Sequence, residues 1–257
     1  METLLSLDIL TQPDDVTCGP TCLHAVYRFF GDRVPLEQLI REIPQLGGGG
    51  TLAVLLGCHA LRRGYEAKIL TCNLQVFDPT WFRPGARPLK QALLAQMQVK
   101  TNPKLLEASR GYLEFLELGG RIGMEDFSGT LFRRFLKKHI PVLTGLSATY
   151  LYRSAREFGP GCQADDIRGE PVGHFVVLCG YDQPTRRVTI ADPFCSHPFG
   201  PGRYYEVSID HMIRAIMLGI LTYDANLLVI QPRVSSQDSG PTTQLREEEQ
   251  CADSDRR

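Results

Sequence analysis

Two hydrophobic periods alternate along the chain, and the breaks between them fall at glycine, proline and asparagine. Over residues 18–30, Cys22, Ala25, Val26, Phe29 and Phe30 recur at the spacing of one helical face. His24 and Arg28 fall on the other side. Pro20 stands in the first turn, where no N–H donor is needed, and Gly31 supplies the stop. The pattern predicts a buried helix. A short helix over 34–43 ends before Pro44, a glycine turn follows at 47–50, and a third helix over 51–63 is stopped by Gly64. The period then changes to two across 65–71, which reads as a strand, and residues 5–10 read as a short edge strand.

Residues 73–127 break this rhythm. Pro79, Pro84 and Pro88 punctuate a loop, residues 89–99 are helical in pattern, and Asn102-Pro103 caps a stronger helix reaching Leu118 before Gly119-Gly120. The stretch reads as a helical insertion, either a lid or recognition subdomain or a pair of scaffold helices. Ser128 caps a helix through Lys138 whose basic side (Arg133, Arg134, Lys137, Lys138) has the form of a solvated face. An apolar strand over 141–150 and a polar loop over 153–171 come next. Strands follow at 174–181, 187–192 and 204–207, then a helix over 209–217 and a last strand over 226–230. From residue 235 the composition is polar and acidic without periodicity, so the expectation is one domain over 1–234 and a disordered tail over 235–257.

The totals narrow the function. A chain of 257 residues can bury one large core, and 43% hydrophobic content with a net charge of −1 argues against a nucleic-acid or anionic-membrane partner. The amino terminus carries Glu2 where a signal peptide needs a base, and no run approaches the length of a membrane span. A cytoplasmic setting with reduced thiols is therefore expected. Of the 8 cysteines, Cys58, Cys72 and Cys179 sit in apolar runs as small core residues. Cys18 and Cys22 make the only close pair, with no second pair at ligand spacing, so neither a metal nor another cofactor is expected.

The chemistry concentrates at four positions. Cys18 opens a helix, where the unpaired N–H groups of the first turn favour thiolate, the nucleophilic form. Gln12, six residues upstream, can supply the amide donor an oxyanion hole requires. His174 and Asp192 are polar residues in apolar strand patterns. If 174–181 and 187–192 are the arms of one hairpin turning about Gln183-Pro184, the two lie opposite each other and share a face with Val176, Leu178, Val188 and Ile190. Opposed Cβ atoms are about 5 Å apart, within reach of a carboxylate–imidazole hydrogen bond. Singly, each residue has a structural explanation: a core histidine, a strand-ending Asp-Pro, a buried helix-start cysteine. Jointly they run in the order amide, thiol, imidazole, carboxylate, each at the end of an element.

Gln12, Cys18-Gly19-Pro20, Gly173-His174-Phe175-Val176-Val177-Leu178 and Ala191-Asp192-Pro193 together resemble the bacterial double-glycine leader peptidases and their stand-alone soluble relatives in the papain-like superfamily. The likeness covers residues 8–70 and 140–207; residues 73–127 make the span from Cys18 to His174 much longer than in those peptidases. It implies an α+β papain-like cysteine peptidase fold, with an N-terminal helix carrying the nucleophile packed on a mainly antiparallel sheet. It further implies Cys18 as nucleophile, His174 as base, Asp192 as its orienting acid and Gln12 in the oxyanion hole. The activity implied is hydrolysis of a peptide or amide bond through a thioester, with a peptide or protein as substrate. Two alternatives share these residues: an acyltransferase or peptide ligase in which an amine intercepts the thioester, and a non-catalytic peptide-binding relative.

Overall fold

The predicted buried helix forms at Cys18–Phe29 (α1) in the computed structural model, which describes residues 2–47 and 49–233. Every residue from Cys18 to Tyr27 is buried, His24 included, because the side expected to face water is covered by the helix Leu36–Glu42 (α2). The helix Ala53–Arg62 (α3) starts two residues later than the pattern suggests. Its cap comes from a distant residue: the buried Asp224 carboxylate accepts from the Ala53 N–H at 2.9 Å. The strand Tyr65–Thr71 (β2) has the predicted bounds.

The insertion contributes two helices, Leu89–Val99 (α4) and Pro103–Glu117 (α5), the second capped by Asn102, which accepts from the Leu105 N–H at 3.1 Å. Helix α5 lays Tyr112, Phe115 and Ala108 into the core against α3, and a three-residue strand at Arg121–Gly123 (β3) extends the sheet alongside β2. The approach of α5 to α3 is close. A Cβ at Gly57 would stand 2.6 Å from the Phe115 ring. These residues thus build on α3 and one edge of the sheet.

The helix capped by Ser128 follows as Gly129–Leu136 (α6). The apolar run after Pro141 is only in part a strand. Val142–Ser147 (β4) ends where the Ser147 hydroxyl accepts from the Tyr150 N–H, starting a five-residue helix, Ala148–Tyr152 (α7). The polar loop holds a small hairpin, Glu157–Phe158 (β5) with Gln163–Ala164 (β6). Beyond it come Gly173–Asp182 (β7), Arg187–Ala191 (β8), Tyr204–Ser208 (β9), the helix Ile209–Leu218 (α8) and Asn226–Pro232 (β10). The main sheet runs β3-β2-β10-β4-β7-β8-β9, antiparallel except at β2–β3. This is the expected α+β arrangement, the helix that opens with Cys18 packed on a mainly antiparallel sheet.

The edge strand expected at 5–10 lies elsewhere. Pairing with β7 is made by Glu2–Leu4 (β1), and the Leu5 N–H adds one rung to the Cys179 carbonyl at 2.8 Å. Beyond Leu5 the backbone leaves the sheet. Leu7 and Ile9 still alternate inward, but their polar groups bond the Tyr204 hydroxyl, the Leu7 carbonyl at 2.8 Å and the Ile9 N–H at 3.1 Å. Alternation alone reported burial, not strand pairing. The polar tail lies outside the described residues. Among the described residues no helix is long and apolar enough to cross a membrane.

The contact at Gly57 yields a test of the insertion's packing. Gly57→Ala ordinarily favours a helix by about 1 kcal/mol, but forcing a methyl into a filled core costs about 1–3 kcal/mol. The expected result is a protein destabilised in urea unfolding; unchanged or increased stability would show that α5 does not press on α3.

Candidate active site

Cys18 is the first residue of α1, after a turn fixed by Asp14, whose side chain accepts from the Val16 N–H at 3.0 Å while its N–H donates to the Thr17 hydroxyl at 3.3 Å. Among the described residues the N–H groups of Cys18 and Gly19 have no acceptor, so two donors remain free beside the thiol. The helix end is pressed onto the start of β7. A Cβ on Gly19 would lie 2.6 Å from the Thr51 methyl and 3.3 Å from the Phe175 ring, so this close seat leaves no room for a side chain. One turn on, the buried Cys22 thiol donates to the Phe175 carbonyl at 3.2 Å, and burial pushes its ionisation well up; it stays a thiol.

His174 is the second residue of β7, paired with Leu146 of β4 on one side. Its Nε2 lies 2.8 Å from Asp192 Oδ1. Asp192 follows β8 directly, and its N–H donates to the Arg203 carbonyl at 2.8 Å. The contact between ring and acid is made in a register that the sequence did not anticipate. Val177 pairs with Ala191 and Leu178 with Ile190, so the same ladder sets Asp192 across from Val176, two residues from His174. The cause is a β-bulge between Leu178 and Gly180 together with a turn over 183–186. A slip of one residue would have sent the two side chains to opposite faces; a slip of two keeps the face and makes them diagonal neighbours, about 7–8 Å apart at the backbone.

With Nε2 committed to the acid, Nδ1 is the ring nitrogen left free, and the Cys18 sulfur is near enough to raise the ring's proton affinity. Burial alone would lower the proton affinity of His174, but the Asp192 carboxylate and the Cys18 sulfur outweigh it and hold the imidazole well above its ordinary range. Asp192 moves the other way. Burial would raise its carboxyl, yet the imidazole beside it and the donors around it hold it below the usual carboxylate range. Both shifts favour a charged pair. Cys18 and His174 each keep 8% exposure while Asp192 has none, so only the first two can meet a substrate.

Gln12 is held next to this pair by its backbone: its N–H donates to the Pro193 carbonyl at 3.0 Å, one residue past Asp192. Its side-chain Nε2 donates to the Asp14 carbonyl at 2.8 Å, leaving one amide hydrogen free, and Oε1 is buried with no partner among the described residues. Two further groups at the site escaped the sequence reading. The hydroxyls of Tyr152 and Tyr205 both donate to Asp192 Oδ2, each at 2.7 Å. Tyr205 had a signal available, as the inward member of the β9 alternation; Tyr152 falls between the strand expected at 141–150 and the loop expected at 153–171, where no pattern marks it.

The cysteines of the described residues are all free; Cys58 and Cys179 are buried and Cys72 is half-buried. Among the described residues no group of His, Cys, Asp and Glu could hold a metal ion.

No curated protein matches the chain. Among solved structures it is similar to a double glycine motif protease from an AMS/PCAT transporter in complex with the leader peptide, at 13% identity and a TM-score of 0.43, over 90% of this chain and 95% of that one. It is similar to the peptidase domain of Streptococcus ComA, a bi-functional ABC transporter, at 13% identity and a TM-score of 0.41, over 88% and 99%. A third similar structure is xylellain, a cysteine protease from Xylella fastidiosa, at 15% identity and a TM-score of 0.43, over 91% and 86%. The model of one family, described as the Peptidase_C39 like family, matches residues 4–199, a span that contains Gln12, Cys18, His174 and Asp192. The chain belongs to this Peptidase_C39 like family of cysteine peptidases.

Proposed function

We propose that this cysteine peptidase cleaves a peptide or amide bond through a thioester on Cys18, with His174 as general base and acid and Asp192 as its orienting carboxylate. The observation that carries the reading is the 2.8 Å bond between His174 Nε2 and Asp192 Oδ1, beside a Cys18 sulfur near enough to raise the ring's proton affinity. A ring fixed through Nε2 presents Nδ1 in one orientation and one tautomer, which is what proton transfer with a thiol needs.

The thiol proton passes to His174, and the sulfur attacks the substrate carbonyl as the carbonyl π electrons move to oxygen. The oxyanion meets the free Cys18 N–H at the helix end and the uncommitted amide hydrogen of Gln12. As the tetrahedral adduct collapses, the carbon–nitrogen bond breaks and imidazolium gives its proton to the departing amine. A water molecule, deprotonated by His174, then attacks the thioester; its collapse releases the acid and restores the thiol. Asp192 stays ionised throughout and stabilises each imidazolium. The substrate is a peptide or protein, and a cytoplasmic setting suits a nucleophile that must remain a free thiol.

Cys18→Ala is expected to abolish turnover in a peptide-library cleavage assay while leaving circular dichroism unchanged; residual cleavage at the wild-type rate would end the proposal. The pH dependence follows from His174. Its proton is held above the ordinary imidazole value of about 6.5, so kcat should persist through neutral pH and fall on the alkaline side as imidazolium is lost. Asp192→Asn removes the charge that holds that proton, so the alkaline limb should move towards lower pH. A limb that stays in place would show that Asp192 does not act on His174.

A further inference from the structure

The Asp192 carboxylate is saturated. Oδ1 accepts from His174 Nε2 at 2.8 Å and from the Phe194 N–H at 2.9 Å, and Oδ2 accepts from the Tyr152 and Tyr205 hydroxyls at 2.7 Å each. A carboxylate offers about four lone-pair sites, so four donors leave none for water or for a proton. The two phenols come from separate elements, Tyr152 from the end of α7 and Tyr205 from β9. Their rings are held from behind by the buried His197, tilted 62° to Tyr205 at 4.4 Å between centroids and stacked on Tyr152 at 6.4 Å.

Both phenols keep the protons they donate to Asp192. Burial and the adjacent carboxylate push their ionisation far above the ordinary tyrosine range, so neither becomes a phenolate beside Asp192. A charge without solvent exposure needs such partners, since an ion buried unpaired costs several kcal/mol.

We propose that Tyr152 and Tyr205 are positioning residues for the catalytic histidine: a phenolic clamp on Oδ2 that fixes the rotation of the Asp192 carboxylate, keeps it charged and reserves Oδ1 for His174. This rests on the catalytic reading above and names the residues through which its acid operates. Neither tyrosine touches the substrate; each works through Asp192 on His174, and through His174 on the sulfur. A purely space-filling role would make the hydroxyls dispensable. The clamp makes them govern the pH at which the imidazolium–thiolate pair forms, because removing a donor from a carboxylate strengthens its hold on a proton, and a protonated Asp192 no longer supports imidazolium.

The test needs no substrate. The rate at which iodoacetamide alkylates Cys18 is measured against pH and read by mass analysis of the Cys18 peptide. The proteins are the full chain and its Tyr152→Phe, Tyr205→Phe, Tyr204→Phe and His174→Ala variants, each checked for folding by circular dichroism. A hydrogen bond to a charged group corresponds to a shift of about one pH unit. The acid limb of Cys18 alkylation is therefore expected to move up by about one unit in Tyr152→Phe and in Tyr205→Phe. Tyr204→Phe removes a hydroxyl bonded to Leu7 and Ile9 instead, and its limb should coincide with wild type. Superimposed profiles for the folded Tyr152→Phe and Tyr205→Phe proteins, or a loss of rate without a shift, would overturn the clamp. If one of these variants does not fold, the other decides. His174→Ala separates the two levels: a profile unchanged in that variant sinks the catalytic reading itself, whereas a profile changed there but not in the tyrosine variants sinks the clamp alone.

Discussion

A negative charge shut away from water is the constraint on which this half of the molecule depends. Asp192 is completely buried, and an unpaired carboxylate there would take up a proton and cease to act on His174. It stays charged because donors arrive from β7, α7, β9 and its own loop at once. Those elements cannot shift independently without stranding the charge. The start of β7 is tied to α7 by two bonds, the Ala148 N–H to the Val172 carbonyl and the Val172 N–H to the Thr149 hydroxyl, each 2.9 Å. Helix α7 is tied in turn to α8, where His211 bonds the Leu151 carbonyl and its ring stacks on Tyr150.

Cys18 is positioned from the other direction, through the core. Gly19 lets the helix end sit against Thr51 and Phe175, and the Cys22 thiol anchors the next turn to the backbone of the residue after His174. Sulfur and imidazole are thus referenced to the same few residues of β7. A thiol placed by a loop would have the freedom that such packing removes. Of the chain between Cys18 and His174, β4 pairs with β7 and α7 carries Tyr152 to Asp192, while α3, the insertion and β2 build the neighbouring core and sheet edge.

Much of this was legible in the sequence. The helix over Cys18–Phe29, β2, β7, β8 and the final helix and strand follow from period and punctuation, and the caps at Asn102 and Ser128 fall where side-chain chemistry indicates. What escaped has a common physical origin: bonds between residues far apart in the chain. The turn over 183–186 and the bulge beyond Leu178 together shifted the pairing of Asp192 by two places, and no local signal marks the bulge. Asp224 caps α3 from 171 positions away, so the helix starts at Ala53 instead of Thr51. Residues 5–10 alternate like a strand, but a tyrosine hydroxyl takes the bonds a neighbouring strand would have made. Parity still brought His174 and Asp192 to one face, because the turn moves the pairing by three places and the bulge takes one back, leaving an even shift.

The hydrogen bond from the Gln12 backbone to the Pro193 carbonyl has a wider consequence. It stitches the segment leading into Cys18 to the segment leaving Asp192, so the backbone carrying the Gln12 amide and the backbone carrying the carboxylate share one hydrogen bond. Motion that loosens the stretch after Asp192 carries Gln12 with it. One backbone bond is thus the seam between the two ends of the candidate site.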